Sequence, residues 1–237
     1  MTAPLGLGAA AAAGAFVAWA WLPHLATVAC TWRGPRRGRR IALTFDDGPD
    51  PEWTPRVLDA LAARAVAATF FLVGARATRA PGVARAIAAA GHEVASHGWS
   101  HASLWRCGPL RTAAEIADAH RALADLAGRP PRHFRPPWGM VNAAMFPILR
   151  RVGERCVFWS IQPEGLRPRA GAEQAAHVLR RAHPGAIVDL HDADGVRGAP
   201  ARLLEGLPAM IDGLRSAGYE FATLADLLDT REGGRWK

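Results

Sequence analysis

Ile41-Ala42-Leu43-Thr44-Phe45-Asp46-Asp47-Gly48-Pro49 is the stretch on which the reading of the fold turns. Its first five residues are mostly apolar and then run straight into two aspartates, a glycine and a proline. That is the pattern of a buried strand ending in a loop. Downstream, Thr54-Pro55 reads as an N-cap followed by proline at the first helical position. Val57, Leu58 and Leu61 then recur at helical spacing. Further strands are expected at Ala68–Val73, His92–Ser96, Arg132–Phe134, Cys156–Ser160, Ala186–Leu190 and Tyr219–Ala222. Helices fall between them at Pro81–Ala90, Thr112–Ala127, Glu173–Ala182 and Pro200–Ala217, and glycines at 91, 128 and 218 stop three of these. About seven strand–helix units in under 200 residues imply a parallel sheet with right-handed crossovers. A small or incomplete barrel fits, with an open doubly wound sheet as the alternative. In either, reactive residues sit at the carboxyl ends of the strands.

Composition narrows the field. The chain has 237 residues, half of them apolar and 21% charged, so it has material for a sizeable core. Cys30, Cys107 and Cys156 are too scattered for a disulfide framework or a thiolate metal site. The formal net charge is +8. Lys237 is the only lysine and the arginines are spread along the chain, so this charge reads as compositional bias, and no nucleic-acid partner is expected. Met1 to Trp32 carries no Asp, Glu, Lys or Arg. Residues 1–32 are expected to form a hydrophobic membrane-anchor segment that includes an N-terminal hydrophobic helix, with Pro23-His24 marking its end. Residues 33–40 read as an Arg-rich linker, 41–230 as the catalytic domain and 231–237 as a tail. The Arg33–Arg40 cluster argues by the positive-inside rule for a cytoplasmic domain.

Chemistry-bearing residues follow the predicted strands. Asp46 and Asp47 close the first strand, His97 and His101 follow the third, Arg135 the fourth and His191 the sixth. Histidines at i and i+4 lie about 40° apart on a helical turn and can converge on one ion. Adjacent aspartates at a strand end point in different directions, so one can hold a metal while the other faces the reacting water. Asp47, His97 and His101 would supply two nitrogens and one oxygen. Zinc is the default divalent ion for that set, with Co, Ni or Mn as alternatives.

Thr44-Phe45-Asp46-Asp47-Gly48, His97-Gly98-Trp99-Ser100-His101, Arg135-Pro136-Pro137-Trp138-Gly139 and Val188-Asp189-Leu190-His191 together resemble the four motifs of the carbohydrate esterase family 4 polysaccharide deacetylases, in the family's order. The resemblance implies a distorted (β/α)7-type barrel and metal-dependent hydrolysis of N-acetyl groups on the amino sugars of a glycan such as peptidoglycan or chitin. It implies Asp47, His97 and His101 as metal ligands, Asp46 as general base, Arg135 as the partner orienting that base, and His191 as general acid. Trp138 and Leu190 are implied to bind the oxyanion and shape the acetyl pocket. It also implies an envelope location, against the charge rule.

Three positions depart from the family pattern. Trp138 stands where tyrosine is common. The acidic residue expected shortly after Trp159 is missing or displaced, leaving Glu164, Asp189 or Asp192 to tune His191. Asp189 occupies a strand position that is usually apolar, and if buried it needs a partner, for which Arg135 is a candidate. These changes keep a second reading open, a catalytically impaired glycan-binding protein on the same fold. Trp99, Trp105, Trp138 and Trp159 lie in or near the motifs and are candidates for stacking on sugar rings.

Overall fold

The computed structural model describes residues 12–164, 168–195 and 197–229. All seven expected strands form: β1 (Arg40–Asp46), β2 (Thr69–Leu72), β3 (Glu93–Ser96), β4 (His133–Phe134), β5 (Arg155–Cys156), β6 (Ile187–His191) and β7 (Glu220–Phe221). Every pairing is parallel, in the order β5-β4-β3-β2-β1-β6, and β7 joins only the first two residues of β1. That order is a ring cut once. The cut is spanned by a single parallel bridge between Ile161 and Val188, with Asp189 N–H donating to Ile161 O at 2.9 Å. The sheet is therefore a half-barrel with an irregular seam rather than an open doubly wound sheet.

Period-two alternation sorts the strand residues. Ile41, Leu43, Phe45, Phe70, Leu72, Val94, Val188 and Leu190 pack outward in one core with Val57, Leu61, Ile87, Leu207 and Ile211. Those last five come from the surrounding helices α1 (Trp53–Ala62), α3 (Pro81–Ala89) and α7 (Ala199–Ser216), with α2 (Gly74–Arg79) preceding α3. The inward set is different. Ala42, Phe71, Ala95, Val157 and Ile187 fill the middle of the barrel. Thr44, Asp46, Asp189 and Arg135 lie buried above them. A third cluster sits under α4 (Pro109–Ala127) and α5 (Met145–Val152).

Two expectations need correction. Thr54 is not the N-cap of α1. Glu52 stands at the N-cap, Asp50 Oδ1 accepts from the N–H groups of Glu52 and Trp53 at 2.8 and 2.9 Å just before the helix, and Thr54 is turned inward to Asp192. Leu190 does not face the site. It lies in the outward core, because a residue next to His191 on a strand points to the opposite face.

The N-terminal segment Ala12–Ala29 is helical; Pro23-His24 do not end it, and its winding changes between Trp21 and Leu22, from a π-turn over Val17–Trp21 to a 3-10 helix over Leu22–Ala29. It is a surface element with only about a tenth of its window buried, not a core helix. It is nonetheless fixed to the domain. Trp19 Nε1–H donates to Cys107 O at 3.2 Å, and Ala143 N–H donates to Trp19 O at 3.0 Å. Residues 1–11 of the expected anchor and the 231–237 tail lie outside the described residues.

The helices α6 (Gly171–Arg181) and α7 meet backbone to backbone. A Cβ on Gly206 would lie 2.1 Å from Gly171 O, whereas one on Gly82, in the first turn of α3, would meet nothing within 4 Å. Gly206→Ala should therefore destabilise the fold by about 1–3 kcal/mol. Gly82→Ala should be neutral or stabilising by up to about 1 kcal/mol. Urea unfolding of the two variants beside the wild type measures both.

Candidate active site

The carboxyl ends of β1, β3 and β6, with the loop after β4, converge on one cluster. His97 Nδ1–H donates to Arg135 O at 2.7 Å, which fixes the ring and turns Nε2 toward the cluster. That nitrogen lies 3.5 Å from Asp47 Oδ1, and His101 Nε2 lies 2.8 Å from the same oxygen. The candidate ligand atoms of Asp47, His97 and His101 all fall within 4.8 Å of one another. The two histidines do not share a helical turn, as the spacing suggested. Residues 97–103 are loop, and left-handed backbone at Gly98 (φ +77°) and His101 (φ +60°) brings the second ring round beside the first.

Strain is concentrated here. Four non-glycine residues adopt positive φ among the described residues, and three of them, Asp47, His101 and Trp138, line this cluster. Such conformations cost on the order of 1–3 kcal/mol each and persist where the surroundings over-determine them.

Beneath the cluster sits Arg135, fully buried. Its Nη1 donates to Thr44 Oγ1 at 2.8 Å, Asp46 Oδ1 at 2.7 Å and Asp189 Oδ1 at 3.2 Å, and its Nη2 donates to Phe158 O at 3.0 Å. The guanidinium lies 4.1 Å from the centroid of the Phe71 ring. Asp189 thus has the partner its burial demands, and Gln162 Nε2 donates to its other oxygen at 3.1 Å. Asp46 keeps Oδ2 free of Arg135, 3.8 Å from His97 Nε2.

The charge states follow from these neighbours. Burial raises Asp46 above the ordinary carboxylate range, and Arg135 only partly opposes it. Asp189 is also raised, by burial and by Asp46 beside it. Burial acts to raise Asp47 too, but hydrogen bonds from His101 and His97 outweigh it and hold the carboxyl well below the usual range. His191 stands opposite Asp46 across the β1–β6 pairing. Its Nδ1 lies 2.8 Å from Glu164 Oε2, so of the three carboxylates considered it is Glu164 that pairs with it. Burial disfavours the imidazolium, yet Glu164, Asp189, Asp47 and Asp46 outweigh that and push His191 up to about 10. Asp192 is raised to about 7, by burial and against the Thr54 hydroxyl.

Trp138 is 58% exposed at the rim, its ring centroid 5.1 Å from that of His101. Trp99 packs against Gly74, and Trp159 lies 5.5 Å from the Arg135 guanidinium. Neither is placed to stack on a sugar as Trp138 is. Residues the motifs did not single out also build the site. Arg76 Nη1 donates to Asp47 O at 2.8 Å, and a Cβ on Gly195 would lie 1.8 Å from Asp47 Oδ2. No local pattern marks either residue.

The stability that His191 contributes as a cation is fully present below its unfolded value near 6.5 and is lost as pH rises through about 10. Glu164→Gln removes the nearest negative charge. In metal-free protein the His191 titration, followed by NMR, should move down by about 1–3 pH units.

Comparison with known proteins gives a consistent picture. Residues 33–157 match the family model for polysaccharide deacetylases. The chain is 34% identical over 203 residues to a peptidoglycan-N-acetylglucosamine deacetylase of Bacillus cereus, covering 84% of this chain and 92% of that one. It is 40% identical over 156 residues to a chitooligosaccharide deacetylase of a Bradyrhizobium species, covering 65% of this chain and 71% of the other. Against the Listeria monocytogenes enzyme PgdA the identity is 35%, and the match spans 39% of that longer protein. Among solved structures, the Bc1960 peptidoglycan N-acetylglucosamine deacetylase superposes with a TM-score of 0.80 at 30% identity, covering 84% of this chain and 92% of that one. A CE4 family pseudoenzyme from Bacillus anthracis superposes at 0.76 with 25% identity, covering 84% and 68%.

Proposed function

The chain belongs to the polysaccharide deacetylase family, and on that premise we propose that it hydrolyses N-acetyl groups from amino sugars of an envelope glycan, using one divalent metal ion. One observation carries this reading. Two imidazole nitrogens and one carboxylate oxygen converge within 4.8 Å, and a second carboxylate oxygen lies 3.8 Å from one of those nitrogens. The donor set fits a divalent transition metal: two imidazole nitrogens, one of the rings oriented by a backbone carbonyl, and a carboxylate held ionised. Asp47, His97 and His101 would hold the ion, and zinc suits them best. When bound, it supplies Lewis acidity toward water and the acetamide carbonyl.

The protein's own groups account for the proton transfers. Arg135 grips Oδ1 of Asp46 and leaves Oδ2 to accept a proton from the attacking water. The water oxygen bonds to the carbonyl carbon. On this reading the backbone N–H of Trp138 donates to the oxygen that becomes negative. His191, held as imidazolium by Glu164, donates its Nε2 proton to the amine nitrogen as the C–N bond breaks. Acetate and a free amine leave. Burial raises Asp46 toward the range where it takes up a proton readily, so Arg135 serves chiefly to aim it.

The fold also hosts an inactive relative, the Bacillus anthracis pseudoenzyme, so a glycan-binding role without turnover is the competing reading. Acetate release from acetylated glucosamine oligomers with added zinc or cobalt decides between them: metal uptake without acetate from any such glycan rejects the enzyme reading. Asp47→Ala and His97→Ala should lose metal and activity together. Asp46→Asn should keep the metal and lose turnover by about a hundredfold or more, and metal loss there would exchange the two aspartates.

The apolar N-terminal helix and the peptidoglycan-directed relatives support a membrane-anchored protein facing the envelope. The Arg33–Arg40 cluster opposes that orientation. A reporter active only outside the cytoplasm, fused after Lys237, should give signal; its silence beside an active cytoplasmic reporter reverses the assignment.

A further inference from the structure

An open pocket of about 900 Å³ adjoins the candidate site, and the two share His101 and Trp138 as walls. From there it runs outward along Met140 and Trp105 to Phe16, with Arg106 on its lining. Phe16 belongs to the N-terminal helix, not to the barrel. Its ring meets Trp105 edge-on with centroids 5.9 Å apart, and His24 meets the same indole at 5.5 Å. The helix is pinned in this position by the two hydrogen bonds of Trp19.

The outer side of the same helix is bare and apolar. Ten large hydrophobic side chains are exposed among the described residues, and six of them (Phe16, Val17, Trp21, Leu22, Leu25 and Val28) lie on this one segment. Its 18 residues are long and apolar enough to enter a bilayer. One helix therefore presents its outer face to lipid while its inner side walls a pocket that leads to the candidate metal ligands. The apolar wall of the pocket is thus continuous with the exposed apolar surface of this helix.

We propose that the substrate is an N-acylated amino sugar carried on a lipid through a phosphate, with the lipid lying in the pocket along the wall that Phe16 and Trp105 form together. This rests on the deacetylase reading for the sugar end alone. The apolar tail would enter from the bilayer along the N-terminal helix. The acetamide would then reach His101 and Trp138 without the tail leaving apolar surroundings. The guanidinium of Arg106 has no hydrogen-bond or ion-pair partner among the described residues, so the pocket offers a cation to the phosphate linkage.

The test is binding to the full chain in lipid nanodiscs, with empty discs subtracted for partitioning. Two ligands are compared, the N-acetylglucosaminyl phosphodiesters of methanol and of farnesol. The farnesyl diester should bind at least about tenfold more tightly. Phe16→Ala and Trp105→Ala should each narrow that ratio several-fold, and since Phe16 is a surface residue its variant reports even if the Trp105 variant fails to fold. Equal affinity for the two diesters, or a ratio untouched in Phe16→Ala, overturns the proposal. Farnesyl phosphate binding as tightly as the farnesyl diester overturns it too, because the pocket would then hold lipid without reference to the sugar. Binding is read without turnover, so failure of soluble oligomers to release acetate strikes the deacetylase reading and is not confused with this result.

Discussion

A guanidinium without exposed surface holds the upper half of the barrel together. Arg135 reaches across the interior to β1 through Thr44 and Asp46, to β6 through Asp189, and to the chain after β5 through the carbonyl of Phe158. Its own carbonyl fixes His97. Removing one partner of such a buried network leaves the others uncompensated, at a cost of about 3–5 kcal/mol. One side chain thus sets both the closure of a sheet whose last seam is a single bridge and the aim of the groups above it. The arrangement also explains why an aspartate is tolerated at position 189, inside a strand. Two carboxylates share one cation, and both are raised because burial outweighs what a single positive charge returns to them.

Much of this was legible in the chain. The central strands were readable because each is a short apolar run ended by a turn residue or a polar group, and the two-residue strands at positions 133, 155 and 220 because they fall at the expected place in the strand–helix alternation. The long helices were readable because proline opens and glycine closes several of them. The α2, α5 and α8 (Leu224–Leu228) helices were not foreseen, since each has eight residues or fewer and too few turns to show a period. Spacing alone also misjudged the His97 and His101 pair. It suggested a helical turn, whereas left-handed backbone at Gly98 and His101 does the work. Leu190 shows the opposite failure. Strand alternation placed it away from His191, but its position inside a motif drew it into the site.

What could not be read concerns contacts far apart in sequence. Glu164, Asp189 and Asp192 were equal candidates to pair with His191, because a loop's path decides among them and no local pattern encodes it. Arg76 and Gly195 reach Asp47 from other elements. Phe16 is the extreme case. It lies in a segment that reads as pure anchor, yet it meets Trp105, 89 residues further on.

The stretch between helix and barrel has a mechanical meaning. Thr31 is laid against β5, its N–H donating to Cys156 O at 3.0 Å while its carbonyl accepts from Phe158 N–H at 2.8 Å, and Gly34 N–H donates to Gly185 O at 2.7 Å. A chain stitched into the wall at two points is no leash. The N-terminal helix and the mouth of the barrel therefore turn as one body, and the orientation of either sets that of the other.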